Sequence, residues 1–255
     1  MIQFALLLGL MASTGLAQVD QDVGPPGSGP DQTMDRIRVT AEFRDIELSD
    51  LAGSATIIEA RHLDQVLNLA PNVNFSAGAS RGRFFQIRGI GERSQFVEPI
   101  NPSVGLIVDG IDLTGIGGAA TTLDIEQIEI LRGPQGTLFG ANAMAGLINV
   151  VSAAPSEVLS GQVSLGVAER GGRDVEGVVS GPIGERSGFR LAVGSTQSDG
   201  AQHNAFLGRS DTARIDEQTL RSKFSWQPSS VLNLDFTALL LDIDNGYDGF
   251  SLDNT

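Results

Sequence analysis

Ile130-Leu131-Arg132-Gly133-Pro134-Gln135-Gly136-Thr137-Leu138-Phe139-Gly140 is an apolar run, a glycine–proline break and a glycine-punctuated segment. Ala145-Gly146-Leu147-Ile148-Asn149-Val150-Val151 then restarts as a second apolar run before Ala153-Ala154-Pro155. The pattern predicts a strand, a tight turn or short helix, and a closing strand. Just upstream, the spacing of Ile125, Ile128, Ile130 and Leu131 predicts a helical turn running into the first of these strands.

The pattern extends toward the N-terminus. Val104, Leu106 and Val108 alternate, Asp109-Gly110 supplies a two-residue turn, and Ile111 and Leu113 resume, which reads as a hairpin. Phe84 to Ile90 alternates as a strand around Phe85, Ile87 and Gly89. Leu63, Val66, Leu67 and Ala70 fall at helix spacing and Pro71 ends that segment. Ala55-Thr56-Ile57-Ile58 reads as a short strand. Together these pieces predict a compact α+β domain, a small mixed sheet with short helices.

Toward the C-terminus the period changes to two. Five runs alternate between turn clusters: Gln162 to Ala168, Val175 to Ser180, Phe189 to Thr196, Thr219 to Gln227 and Val231 to Leu241. In the fourth, Leu220, Ser222, Phe224 and Trp226 oppose Arg221, Lys223 and Ser225. Strands of about ten residues with one apolar face fit a membrane β-barrel. The same alternation fits a soluble sandwich.

The N-terminal end is different again. Residues 1–17 carry an apolar run, Phe4 to Met11, too short for a spanning helix of about 20 residues. Small residues precede a cleavage point between Ala17 and Gln18, so the segment reads as an export signal, with a buried helix or strand as the other reading. Residues 18–34, rich in Pro and Gly, form a flexible tether. Asp35-Arg36-Ile37-Arg38-Val39-Thr40-Ala41 then places Ile37, Val39 and Ala41 on one face at period two. It is either the first strand of the next domain or a segment that adds itself to another protein's sheet edge.

Composition excludes several classes. Across 255 residues, Asp plus Glu is 31 against 17 Lys plus Arg, a net charge of −14, which argues against a nucleic-acid partner. There is no Cys and His is 2, which removes thiolate chemistry, disulfides and multi-His metal cages. No cofactor, metal site or catalytic set is expected. Gly78-Ala79-Ser80-Arg81-Gly82 matches a nucleophile elbow, but a strand-like run follows it where a helix is required. The glycines from Gly133 to Gly146 lack the Lys-Ser/Thr ending of a phosphate loop.

Read together, the chain resembles the N-terminal part of a TonB-dependent outer-membrane receptor. Residues 35–41 resemble the TonB box. Ile87-Arg88-Gly89, Val108-Asp109-Gly110 and the Ile130–Gly140 run resemble three successive plug signatures, and residues 145–151 resemble the closing plug strand. The resemblance implies a signal peptide at 1–17, a linker at 18–34, a TonB box at 35–41, a plug domain at 42–154 and the first antiparallel strands of a transmembrane barrel at 155–255.

It also implies roles. Arg88, Gly89, Asp109, Gly110, Arg132, Gly133, Gly140 and Gly146 would be structural plug positions, with Arg88 and Arg132 buried against the barrel wall and paired with carboxylates. Arg93, Gln95, Phe96 and Thr114, in the loops after the central strands, would contact ligand. The implied partners are the periplasmic C-terminal domain of TonB, outer-membrane lipid and a scarce ligand such as a ferric siderophore. A family barrel has about 22 strands, and five cannot close, so the chain is expected to be part of a longer receptor. The alternative is a plug-like periplasmic binding module without transport.

Overall fold

The computed structural model describes residues 5–13, 38–39, 46–47, 54–58, 70–76, 82–94, 99–116 and 121–246. Two sheet systems dominate. One is a five-stranded sheet built from β4 (Ser54–Ile58), β8 (Val104–Val108), β9 (Ile111–Asp112), β10 (Ile125–Arg132) and β11 (Gly146–Ser152), in the order β4-β10-β11-β8-β9. The other is six-stranded, in the order β1-β16-β15-β14-β13-β12. It is built from β1 (Ala5–Ser13), β12 (Ser160–Val167), β13 (Arg173–Pro182), β14 (Ser187–Ser198), β15 (Ile215–Ser229) and β16 (Leu232–Ile243). A three-stranded sheet of β5 (Val73–Ser76), β6 (Phe84–Ile87) and β7 (Ile90–Gly91) and the short pair β2 (Arg38–Val39) and β3 (Ile46–Glu47) complete the described strands.

The five-stranded sheet holds the largest share of the buried apolar core and coincides with the segment expected to be a plug. It is mixed: β8 and β11 run parallel, and its other strand pairs are antiparallel. Every residue of β8 is buried, as are Ile128, Ile130, Ile148 and Val150 of β10 and β11. Near-continuous apolar runs suit strands covered on both faces. The β8–β9 hairpin turns at Asp109 (φ 48°) and Gly110 (φ 78°), the double left-handed turn that the Asp-Gly pair predicts.

Two sequence expectations are corrected here. The helical turn expected at Ile125 is absent, and residues 125–132 are strand throughout. A bulge between Ile125 and Gln127 sets two residues of β10 against one of β11. That extra residue returns Ile125 and Ile128 to the same face, so a spacing of three mimics a helix period. Phe84 to Ile90 is not one strand, because Arg88 (φ 54°) and Gly89 (φ 79°) turn the chain between β6 and β7. Helical structure among the described residues is confined to α1 (Gly136–Phe139) and a 3-10 turn (Gly140–Ala143). The helix expected before Pro71 falls outside the described residues, apart from buried Ala70.

All five alternating runs of the last third are strands, each longer than the sequence pattern suggests. β12 to β16 form consecutive antiparallel hairpins. Their outward side is an apolar belt. Leu165 (75% exposed) and Val167 (91%) lie on β12, Val193 on β14, Phe224 and Trp226 on β15, and Phe236 on β16. Phe224 and Phe236 are register partners with ring centroids 6.1 Å apart. Large exposed apolar rows on a sheet mark a surface that lipid or another apolar surface covers. Short turns at 183–186 and 230–231 mark one rim, and the long connection 199–214 lies at the other.

The apolar segment read as an export signal is extended, with β1 pairing antiparallel to β16 over nine residues in the register Leu6↔Leu240, Leu8↔Ala238 and Leu10↔Phe236. Ala17 and Gln18 lie outside the described residues.

Candidate functional site: the plug–wall seam

One end of the plug sheet rests on the inner side of β14 and β15. Three plug elements supply the contact: the Asp109 turn, Asp124 just before β10, and Ser152 at the end of β11. They converge because β8 and β11 are parallel neighbours and the chain leaves the plug at Ser152. Strand alternation sends Arg190, Ala192 and Gly194 of β14, and Thr219, Arg221 and Lys223 of β15, to the side opposite the apolar belt. Arg190 is the register partner of Lys223, and Ala192 of Arg221.

Asp124 and Arg190 form a two-point pair, Nε to Oδ2 and Nη2 to Oδ1, both 2.6 Å. Their side chains are 8% and 20% exposed. Asp109 accepts from the Ser152 backbone N–H (2.9 Å) and hydroxyl (2.7 Å to Oδ2), and Lys223 Nζ lies 3.2 Å from its Oδ1. Lys223 also donates to the Ser152 carbonyl at 2.8 Å. Burial alone would raise the Asp109 pKa. The positive charge of Lys223, the Ser152 bonds and the charge of Arg221 outweigh it and hold the carboxyl below its ordinary value.

The two surfaces also touch without charge. A Cβ on Gly194 would lie 3.1 Å from Leu123 Cδ1, and one on Gly188 would lie 3.0 Å from Pro155 Cβ. Small residues on the wall therefore let the plug approach closely. The arrangement clamps one body against another. Among the described residues there is no group of His, Cys, Asp or Glu that could hold a metal ion.

Asp109 and Gly110 are at the seam. Gly133 (φ 111°), Gly140 (φ 74°) and Gly146 (φ 155°) are left-handed positions around α1 and β11. A Cβ on Gly146 would lie 2.5 Å from the Leu131 carbonyl oxygen, so only glycine fits there. Arg88 is exposed on the β6–β7 turn, where among the described residues it makes no ion pair with β12 to β16. Arg132 is half-buried and donates to the Pro71 carbonyl at 3.2 Å, and burial and the nearby Arg88 charge lower its pKa. Among the described residues, Asp109 and Asp124 make ion pairs to the wall, with the acids on the plug and the bases on the barrel strands. The sequence reading missed Asp124, Arg190, Arg221 and Lys223; the bases lay in its strand pattern, on the face opposite the apolar rows.

Of the four residues expected to contact ligand, Arg93 is exposed, and Gln95 and Phe96 lie outside the described residues. Thr114 Oγ1 is engaged within the hairpin, accepting from the Leu106 N–H at 3.0 Å and bonding Asp112 Oδ1. Of residues 35–41, Arg38 and Val39 are described, paired with Glu47 and Ile46.

The family model described as TonB-dependent Receptor Plug Domain matches residues 54–147. The chain is 32% identical over 138 residues to the pesticin receptor of Yersinia pestis, covering 54% of this chain and 19% of that protein. It is 26% identical over 183 residues to a vitamin B12 transporter of Vibrio vulnificus, covering 66% and 29%. The crystal structure of the ferric yersiniabactin uptake receptor from Yersinia pestis superposes with a TM-score of 0.61 at 26% identity, covering 70% of this chain and 29% of that one. The chain thus spans between 19% and 29% of these proteins. Residues 54–147 are a TonB-dependent receptor plug domain, and the chain around them is similar to part of receptors of that kind.

Proposed function

We propose that the chain serves energy-coupled uptake of a scarce ligand across the outer membrane, with ferric siderophores as the ligand class. The observation that carries the reading is the seam: a folded plug sheet held to the inner face of a lipid-ready barrel wall by Asp109–Lys223 and Asp124–Arg190. A plug held by a few charged contacts closes a wide pore at rest and remains releasable. Supporting the ligand class, one solved structure is named for ferric yersiniabactin uptake; a relative named for vitamin B12 transport supports uptake of a scarce ligand in general.

In this reading residues 1–17 direct export, with cleavage between Ala17 and Gln18, and residues 18–34 tether the segment at 35–41. That segment adds edge-on to the periplasmic C-terminal domain of TonB, whose backbone pairing transmits a pull to the plug. Arg93, Gln95, Phe96 and Thr114 are the residues this reading assigns to ligand contact. Uptake of radiolabelled iron as hydroxamate and catecholate complexes, with labelled cobalamin alongside, tests the reading in cells with and without TonB. TonB-dependent entry of one iron complex is expected. Entry of cobalamin alone would replace the ligand class, and no TonB-dependent entry of any of them would count against transport.

A further inference from the structure

Arg221 sits two residues from Lys223 on the same side of β15, beside Ala192 of β14 and Leu239 of β16. It is 2% exposed, and its Nε, Nη1 and Nη2 meet no hydrogen-bond partner among the described residues. A guanidinium stays charged, and burying one without a bonded anion is costly. Packing does not demand it, because its strand neighbours Ala192 and Leu239 are apolar and buried. Both plug carboxylates, Asp109 and Asp124, act on it electrostatically. Asp124 is held by two 2.6 Å bonds to Arg190, whereas Asp109 meets the wall through one 3.2 Å contact. Asp109 is therefore the carboxylate that can exchange partners.

The geometry points to Arg221 as a second seat for Asp109, a positioning residue that receives the carboxylate when this end of the plug pivots about the Asp124–Arg190 pair. Residues two apart on a strand are separated by about 7 Å, so the seats differ by one small step along β15. Arg221 lies toward the long 199–214 connection, and long connections of such barrels face outward. The occupied seat is the inner one and Arg221 is the outer. A wall with two discrete seats turns a graded displacement into two positions, as packed interfaces do elsewhere. The use of that step in transport rests on the uptake reading; the exchange itself does not.

Hydrogen exchange of residues 104–113 in the membrane-assembled receptor, with neither TonB nor ligand present, tests the exchange. K223Q is expected to speed exchange by less than about threefold, since Arg221 takes over Asp109, while K223Q with R221Q exceeds about tenfold. R221Q alone leaves the rate unchanged or slower, and R221K matches Arg221 in each background, giving the wild-type rate with Lys223 and the K223Q rate without it. An equal effect of R221Q in the presence and absence of Lys223 overturns the proposal, because a merely structural arginine contributes additively. Where R221Q fails to assemble, R221M replaces it. Failure of both also overturns the proposal, since an unpartnered charge is dispensable for the resting fold. Loss of TonB binding, measured separately, would sink the uptake reading and leave this result standing.

Discussion

Asp124 and Arg190 are 66 residues apart in sequence and meet through two parallel hydrogen bonds of 2.6 Å, one carboxylate oxygen to each guanidinium nitrogen. The pair joins the plug to a barrel strand at a point from which most water is excluded. Arg190→Lys keeps the charge and loses the fork, so it is not a conservative change here. The expected cost is about 1–3 kcal/mol of docking free energy. The measurement is hydrogen exchange across residues 121–132, which should accelerate while β12 and β13 are unaffected.

Asp109 gives a pH prediction with a definite sign. Its carboxyl is held below the ordinary 3.8, so the folded state binds its proton less readily than the unfolded chain does. Its contribution to stability is fully present above pH 3.8 and is lost as the pH falls through the lower folded value. Asp109→Asn should remove that part of the acid sensitivity while leaving the melting profile near pH 7 parallel to wild type. An unchanged slope of stability against pH below 4 in the variant would count against the pairing.

Gly146 and Gly89 separate two costs that glycine avoids. Both have positive φ, but a Cβ at Gly146 would meet the Leu131 carbonyl oxygen at 2.5 Å and Ile87 Cδ1 at 2.6 Å, while at Gly89 it would meet nothing within 4 Å. Gly89→Ala should cost about 1 kcal/mol, the left-handed conformation alone. Gly146→Ala should cost about 3 kcal/mol or more, because β10 and β11 must separate. Thermal melts of the two variants check the ordering.

The outward rows predict a depth-dependent intolerance of charge. Val193 and Leu220 are register partners in the middle of the belt, and Val193 is exposed. Val193→Arg should cost about 2–4 kcal/mol of membrane stability, as a cation does at the bilayer midplane. The same substitution at Gln197, near the strand end, should be close to neutral. The fraction of receptor recovered folded in the outer membrane measures the difference.

The five barrel strands were legible in the sequence because large apolar side chains alternate with polar ones, as in Leu220, Phe224 and Trp226 against Arg221 and Lys223. The β8–β9 hairpin was legible because Asp109-Gly110 has few conformations open to it. β10 was misread at its start because a bulge shifts its phase by one residue, and period alone does not distinguish that from a helical turn. Arg88 and Arg132 drew attention through the motif resemblance, yet Arg88 projects outward from a turn. The seam itself is a long-range product of two patterns. The inward parity of Arg190 and Lys223 was readable, but which carboxylates they meet follows only from the docking of β8 and β11 onto β14 and β15.

The most direct test of the account asks whether the N-terminal segment couples the chain to TonB. Membrane-assembled receptor is passed over the immobilised periplasmic C-terminal domain of TonB, as wild type and as Val39→Pro, which removes a backbone donor from the segment at residues 35–41. Retention of wild type and its loss, by about tenfold or more, in the variant is the expected result. Equal retention of both, or retention of neither where a known TonB-binding segment is held, would contradict it.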